Sequence, residues 1–415
     1  MASENTKPRI LIVGGGLGGL TLAQCLRKQN IPFQIFERDL TPVSRLSGWA
    51  IALHTMLEDL LSSMPSDLPP LKESVHHLSP LNLESQICLY INGKRLVAES
   101  TPDAPIIRAN RYRFRKWLST QIPIQWGKRV AGVEEDEDEV RVHFEDGTTA
   151  TGDILVGADG VNSIVREHVL QRPNSEILQT FPATMAVGEV TVSGKLFENQ
   201  LALGHSCWVK SGPPSAGYFV FCGLREVSPD GKSGSYYWYV VNEDPDIGKE
   251  DHWLHSASQA EKLKHSIKIT RLLEPRFTEI IRSTPVSGMR THPLLVRDAI
   301  IHDLPVSRIT LLGDAMHPMT PFRGEGGVHA IRDALNLGKV LGQLESNDTQ
   351  EIKSLLGPYQ EEMIERGIPA VQGSRIQGSN AHNTNTSAES KIISWGQVPK
   401  HAPEETISLE KCLPK

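Results

Sequence analysis

The chain is 415 residues long, 39% apolar and 22% charged, with a net charge of -6 from 49 acidic and 43 basic side chains. This composition fits a soluble globular protein, one large folding unit with a second layer or lobe, and it leaves no basic footprint for nucleic acid. No run approaches the ~20 apolar residues that cross a bilayer, so no membrane span is expected.

The opening MASENTKPR leads directly into Ile10–Val13, an apolar run suited to a buried parallel strand; with no apolar signal region in front of it, the protein is expected in the cytoplasm. Leu17 to Gln29 carries leucine and alanine at helical spacing and Phe33 to Glu37 is a second apolar strand, so the chain opens β-α-β. A strand or turn follows over Leu46 to His54, then a short amphipathic helix over Thr55 to Met64. Ile87 to Ile91 is strand-like and is followed by an Asn92-Gly93 turn; Arg111 to Gln121 is rich in helix formers and basic side chains. Two strands around Asp146-Gly147 form a hairpin that returns the chain to the layer of the opening strands at Ile154. From Phe181 to about Asp298 strand-forming aromatic and β-branched segments such as YFVFCGL and YYWYVV predominate. Leu341 to Arg366 predicts one or two closing helices, and Gly373 to Ser390 is so rich in Ser, Asn, Gly, Gln and Thr that a mobile tail is expected. Cys25, Cys88, Cys207, Cys222 and Cys412 form no CxxC pair and no even-numbered ladder, which predicts neither a disulfide framework nor a zinc site.

In Gly14-x-Gly16-x-x-Gly19 the first glycine permits a tight strand-to-helix turn, the second lets backbone approach a pyrophosphate, and the third allows close helix packing. The motif follows a predicted strand and opens a predicted helix. Glu37 stands at the end of the next strand, where a carboxylate accepts both ribose hydroxyls of a dinucleotide and repels a 2′-phosphate. Arg38 beside it is a further candidate. Two later segments turn the choice between NAD and FAD toward FAD. ILVGADGVNSIVR is a strand ending in Asp159-Gly160, and ITLLGDAMHPMTPFRGEGG is a strand ending in Gly313-Asp314 and a loop through Pro321 to Gly324, Gly326 and Gly327 before a helix. An aspartate so placed can hold a ribityl hydroxyl, and helix-opening amides can stabilise negative charge on a reduced flavin ring.

These three motifs, in this order, resemble the group A flavoprotein monooxygenases, the para-hydroxybenzoate hydroxylase fold, over about Arg9 to Gly338. The resemblance implies an α/β fold: a Rossmann-like FAD-binding domain with an inserted β-sheet substrate domain. It assigns Gly14, Gly16, Gly19 and Glu37 to the ADP part of FAD, Asp159 and Gly160 to the family's DG segment, Asp314 to the ribityl chain, and Pro321 with Gly324, Gly326 and Gly327 to the flavin ring. Arg111, in a helix similar to the family's R-x-x-L-R-x-x-L, should face the FAD phosphates or ribose, and Gly48 or Ala50 should lie against the flavin. Val328 departs from the family, which usually has asparagine there, so a backbone amide would have to serve the ring. His54, His317 and His329 are expected to be packing or loop residues.

The expected organisation is residues 1–180 as the first part of the FAD domain, with lobe strands near 65–107. The substrate lobe would span 181–298, the second FAD part 299–345, closing helices 346–370, and a flexible polar tail 371–415. The activity implied is oxygen insertion from O2 into a small aromatic, polyketide-like or terpenoid-like substrate, with NAD(P)H as co-substrate and a C4a-hydroperoxyflavin as oxidant, in a monomer or homodimer. Tyr237 is the candidate to contact substrate. The alternatives are another FAD oxidoreductase, such as a dehydrogenase or oxidative cyclase, and a flavin-binding protein without catalysis.

Overall fold

In a computed structural model that describes residues 7–44, 49–91, 93–213, 216–380, 397 and 400–413, Ile10–Val13 is the central strand of a five-stranded parallel sheet. All four of its residues are buried because both faces are covered, which is why the run is continuously apolar and does not alternate. It pairs on one side with Phe33–Glu37, then Ile124–Trp126, and on the other with Ile154–Gly157, then Ile309–Leu311. The two ends of the motif set therefore share one sheet. The helix Leu17–Lys28 packs against Gly326–Leu341, and the hairpin at Asp146-Gly147 forms as expected, with Gly147 at φ +80°.

A second, seven-stranded sheet takes strands from three separate parts of the chain. Its order is Ala183–Ser193, Ser233–Glu243, Tyr218–Val227, Cys207–Ser211, Gln86–Ile91, Lys94–Glu99 and Lys400–His401. One face carries Tyr236, Trp238, Val220 and Cys222 and is closed by Phe197, Leu201, Phe277 and Ile280 from the helices Gly194–Leu203 and Pro275–Arg282. The other face carries Met185, Val187, Phe219, Tyr239 and Val241, with Trp49 and Phe322 from outside the lobe packed on it. Strand alternation accounts for the division of Tyr236 and Trp238 from their neighbours Tyr237 and Tyr239. All five cysteines are buried and free, and no helix of the described residues is long and apolar enough to cross a membrane.

The structure corrects the expected polar tail over residues 371–380 and 400–413; residues 381–396 of it lie outside the described residues. Residues 371–380 continue one helix, Thr349–Asn380, that holds both Pro358 and Pro369. Its small residues reflect close packing: Ser374 Oγ donates to the Thr320 carbonyl at 2.6 Å, Arg375 pairs with Asp298, and a Cβ on Gly378 would lie 2.3 Å from the Phe322 ring. Further on, Lys400–His401 pairs with Leu96 and Val97, and Ile407 and Cys412 are buried in the lobe core. Glu405 accepts from Gln86 Nε2 at 2.8 Å and faces Arg95, while Glu404 pairs with Arg276. Composition alone missed this because the apolar residues of the strap are few and each finds a prepared recess. Ile407→Ala should therefore cost about 2 kcal/mol of stability, read as a lowered urea midpoint at unchanged slope. A midpoint equal to the parent's would mean that the strap does not contribute to the cooperative unit.

Candidate active site

Past Val13 the chain turns through Gly14 at φ +116°, where a Cβ would stand 2.2 Å from the Ala158 carbonyl oxygen. Gly19 is as confined, its Cβ position lying 2.0 Å from the Gly14 carbonyl oxygen, so the helix settles directly on the turn. Gly16 is the opposite case: no atom lies within 4 Å of its Cβ position. It is also the N-cap of Leu17–Lys28, with no side-chain cap and no acid in the first turn. Unpaired helix N–H groups beside open space are a setting for a pyrophosphate.

Glu37, buried at the end of its strand, accepts from the Gly15 N–H at 3.0 Å, the Asp39 N–H at 3.0 Å and Arg115 Nη2 at 3.3 Å. Arg115 Nε also donates to the Gly15 carbonyl at 2.8 Å. The carboxylate is thus fixed at the rim of the glycine turn with lone pairs left for ribose hydroxyls. Arg38, next in the chain, is half-buried. Arg115 is a residue that motif reading passes over, although it stands one helical turn from Arg111 and shares its face.

Asp159, in the DG segment, is held by the start of the helix that follows it. Its carboxylate accepts from Ser163 Oγ at 2.5 Å and from the N–H groups of Ile164 at 2.8 Å and Val165 at 3.3 Å, so the side chain caps the helix Ile164–Leu170 and fixes the turn at Gly160. From that helix the fully buried Arg166 reaches across to the Asp314 and Ala315 carbonyls at 3.1 and 3.0 Å, tying the second motif to the third. Burial pulls its guanidinium down to about 10.

Asp314 follows Gly313, which sits at φ +59°. No described residue donates a hydrogen bond to its carboxylate, which has open surface, yet desolvation raises its pKa against the charges of His317, Arg111 and Arg166. Open surface with protein on most sides describes a concave site, and a ribityl hydroxyl would supply the missing donor. The loop continues through the turn Pro321–Arg323 and Gly324, at φ +68°, to the helix Gly326–Leu341, again with no side-chain cap and no acid in its first turn. A Cβ on Gly326 would lie 3.7 Å from Asp314 Oδ1, and one on Gly327 2.4 Å from Ile51 Cδ1 and 3.8 Å from Leu17 Cδ1. The motifs therefore converge. Val328 is partly buried and packs against the main core.

Below the loop lies a cluster that the motifs do not disclose. Asp333, with no exposed surface, accepts from the Gly313 N–H at 2.7 Å, His317 Nε2 at 2.6 Å and Arg366 Nη2 at 2.6 Å. Burial alone would raise its carboxyl; His317 and Arg366 outweigh that and hold it at about 2. In return Asp333 raises the imidazole of His317 against the effect of burial. His329 accepts from Arg366 Nη1 at 2.8 Å, and burial lowers it to about 4, as burial also lowers His54. All three histidines are thus packing or network residues.

On the inner lobe face Trp49 stacks on Tyr237 and Tyr239, each at 5.6 Å between centroids, and Phe221 stacks on Tyr239 at 4.7 Å. Tyr237 Oη accepts from the Ala50 N–H at 3.2 Å and from Arg108 Nη2 at 3.0 Å, and burial raises its phenol. Gly48 lies outside the described residues. Ala50 forms one of the links between nucleotide domain and lobe, beside those of Asn110 to Arg225 and Arg113 to Glu226.

The FAD binding domain family matches residues 7–374 of the chain, which belongs to that family within the group A flavoprotein monooxygenases and is an FAD-dependent monooxygenase. It is 47% identical over 399 residues to the FAD-dependent monooxygenase thnD of Trichoderma harzianum, covering 94% of this chain and 98% of that protein. Among solved structures, 2,6-dihydroxypyridine-3-hydroxylase of Arthrobacter nicotinovorans shares the fold at a TM-score of 0.74 and 16% identity, covering 97% of this chain and 100% of the other. HpxO of Klebsiella pneumoniae, solved with FAD and uric acid, superposes at 0.70 and 21% identity, covering 91% of this chain and 89% of its own.

Glu37→Ala and Asp314→Ala should each weaken FAD binding by roughly 1.5–3 kcal/mol, about ten-fold or more in Kd, by flavin fluorescence titration, while the fold persists. Unchanged affinity in both would separate the two motifs from the cofactor. For His317 the raised folded pKa means that its stabilisation is complete below the ordinary value near 6.5 and is lost as pH rises through the higher one. The stability deficit of His317→Gln should accordingly shrink at alkaline pH in urea titrations; a constant deficit would mark a neutral packing role.

Proposed function

We propose that this enzyme uses NAD(P)H and O2 to place one oxygen atom on a small, electron-rich organic molecule, aromatic or polyketide- or terpenoid-like, seated between the inner lobe face and the flavin ring. One observation carries the reading. On the strand Ala50–Leu53, the Ala50 N–H meets Tyr237 of the lobe while its neighbour Ile51 meets Gly327 at the opening of the flavin-loop helix. The aromatic face and the helix N-terminus are thus one residue apart on one strand.

FAD, when bound, supplies the redox chemistry, taking a hydride from NAD(P)H and delivering electrons to O2 so that one oxygen atom reaches the substrate and the other leaves as water. The chain's residues bind and orient. Gly16 and the first turn of Leu17–Lys28 meet the pyrophosphate, Glu37 the ribose, and Asp314 the ribityl chain. The uncapped amides of Gly326, Gly327 and Val328 offer donors where negative charge develops on the ring. Trp49, Tyr239 and Phe221 supply flat apolar walls that exclude water from the reacting centre. A single glycine fingerprint fits a reductant that visits and leaves without a second dinucleotide domain.

The purified protein should be yellow and release its flavin on acid precipitation. A substrate found by its acceleration of NAD(P)H oxidation should gain one atom of label under isotope-labelled O2. Turnover without label would make the enzyme a dehydrogenase or oxidative cyclase.

A further inference from the structure

The chain holds eight methionines and five cysteines. All five cysteines are buried, and burial raises every thiol, Cys25 and Cys88 to about 12, so none offers a thiolate to an oxidant. Met56, Met64, Met185, Met289, Met316 and Met363 are buried as well, none of them more than 5% exposed. Met319 is different. Among the described residues it is the one sulfur-bearing side chain that is only half-buried. Oxidation of sulfur follows access, so the inventory singles out one position.

That position lies in the loop between the Gly313-Asp314 turn and the helix Gly326–Leu341. The point where a Cβ would stand on Gly326 is 3.5 Å from Met319 Cγ, 3.7 Å from Asp314 Oδ1 and 3.9 Å from Met319 Sδ, and no atom of another segment is nearer to it. At Gly324, two residues earlier, nothing stands within 4 Å of the corresponding point. The thioether thus borders open space at the uncapped start of the helix, across a gap from the carboxylate assigned to the ribityl chain. Under the proposed function this is where reduced flavin meets O2. When no substrate takes the oxygen atom, the same electrons leave as hydrogen peroxide, and Met319 is the sulfur it reaches first.

We propose that Met319 is a self-limiting oxidation site of the flavin loop: hydrogen peroxide released by turnover without substrate converts its thioether to the sulfoxide, and the modified loop holds FAD less tightly. This rests on the proposed use of O2 at the flavin. The sulfur lone pair attacks one peroxide oxygen, the O–O bond breaks as the S–O bond forms, and the second oxygen leaves as water with both protons. Sulfur is oxidised by two electrons and the peroxide reduced by two. An apolar side chain becomes a polar acceptor. It faces Asp314 across the gap, so two acceptors crowd the place where one receives a ribityl hydroxyl. Methionine sulfoxide is reducible, so the site can be reset.

The test uses FAD-loaded protein and two sources of oxidant, hydrogen peroxide added directly and NADH or NADPH in air without substrate, read by mass spectrometry of tryptic peptides. Under added peroxide the peptide Ile309–Arg323 should gain one oxygen at least about ten-fold faster than the peptides that carry Met56, Met185 or Met363, with fragment ions placing it on Met319 and not on Met316. The coenzyme arm should give the same product. Peroxide-treated protein should then bind FAD at least about three-fold more weakly by flavin fluorescence, and methionine sulfoxide reductase should restore the affinity. Met319→Leu, close in volume, should show no loss on the same treatment. Methionines oxidised at equal rates, a first oxygen on Met316, or a selective sulfoxide that leaves FAD affinity unchanged would overturn the proposal. Added peroxide needs no turnover, so failure of the coenzyme arm alone would tell against the proposed use of O2 and leave the oxidation site standing.

Discussion

The flavin end of this enzyme hangs on the burial of one carboxylate. Asp333 has no exposed surface, and it gathers a backbone N–H from the GD turn, an imidazole from the loop beyond it and a guanidinium from the long helix Thr349–Asn380. A charge so placed is tolerable only with all its partners, and removing any one leaves the others uncompensated. The consequence is geometric. With Gly313 pinned by its N–H, the next side chain, Asp314, is turned away from Asp333 toward the opening at Gly326. The helix Gly326–Leu341, which bears Asp333, is thereby locked to the turn that ends the strand Ile309–Leu311, and the intervening loop is held at both ends.

How much of this could be read from sequence depended on how local the constraint is. Gly14, Gly19 and Gly313 advertise themselves because a positive φ or a close contact is settled within a few residues, Gly16 because it completes their spacing, and Glu37 because it ends a strand. Arg108, Asp333 and Arg166 carry no such mark. Each matters through burial and through partners far away in the chain, and a single sequence displays neither. Asp159 shows the same limit: an aspartate that caps a helix and one that meets a cofactor look alike in a strand-turn-helix segment. The end of the chain misleads in the opposite sense. Gly373, Ser374 and Gly378 resemble linker composition, but small residues are also what a helix needs to pass close to Phe322 and Arg323.

Nucleotide domain and lobe meet through a few polar atoms set among aromatic rings. Trp49 leans on the lobe while the following residue donates its N–H to Tyr237, so a displacement of either sheet is felt at the same phenol. That arrangement ties the strand Ala50–Leu53 to the inner face of the lobe sheet. It also explains why one aromatic face of the lobe is sealed by its own helices while the other borrows Trp49 and Phe322 from the cofactor domain.

The strap at Lys400–His401 has a bearing on how copies of this protein behave together. Without it, Lys94–Glu99 would end the lobe sheet with a row of unpaired N–H and C=O groups on a strand whose four middle residues are buried. Such an edge is a template for strand addition by another chain. Two exposed, polar residues laid along it satisfy part of that row and present a charged lysine outward. The strap thus guards the edge of the lobe sheet against strand addition by another chain.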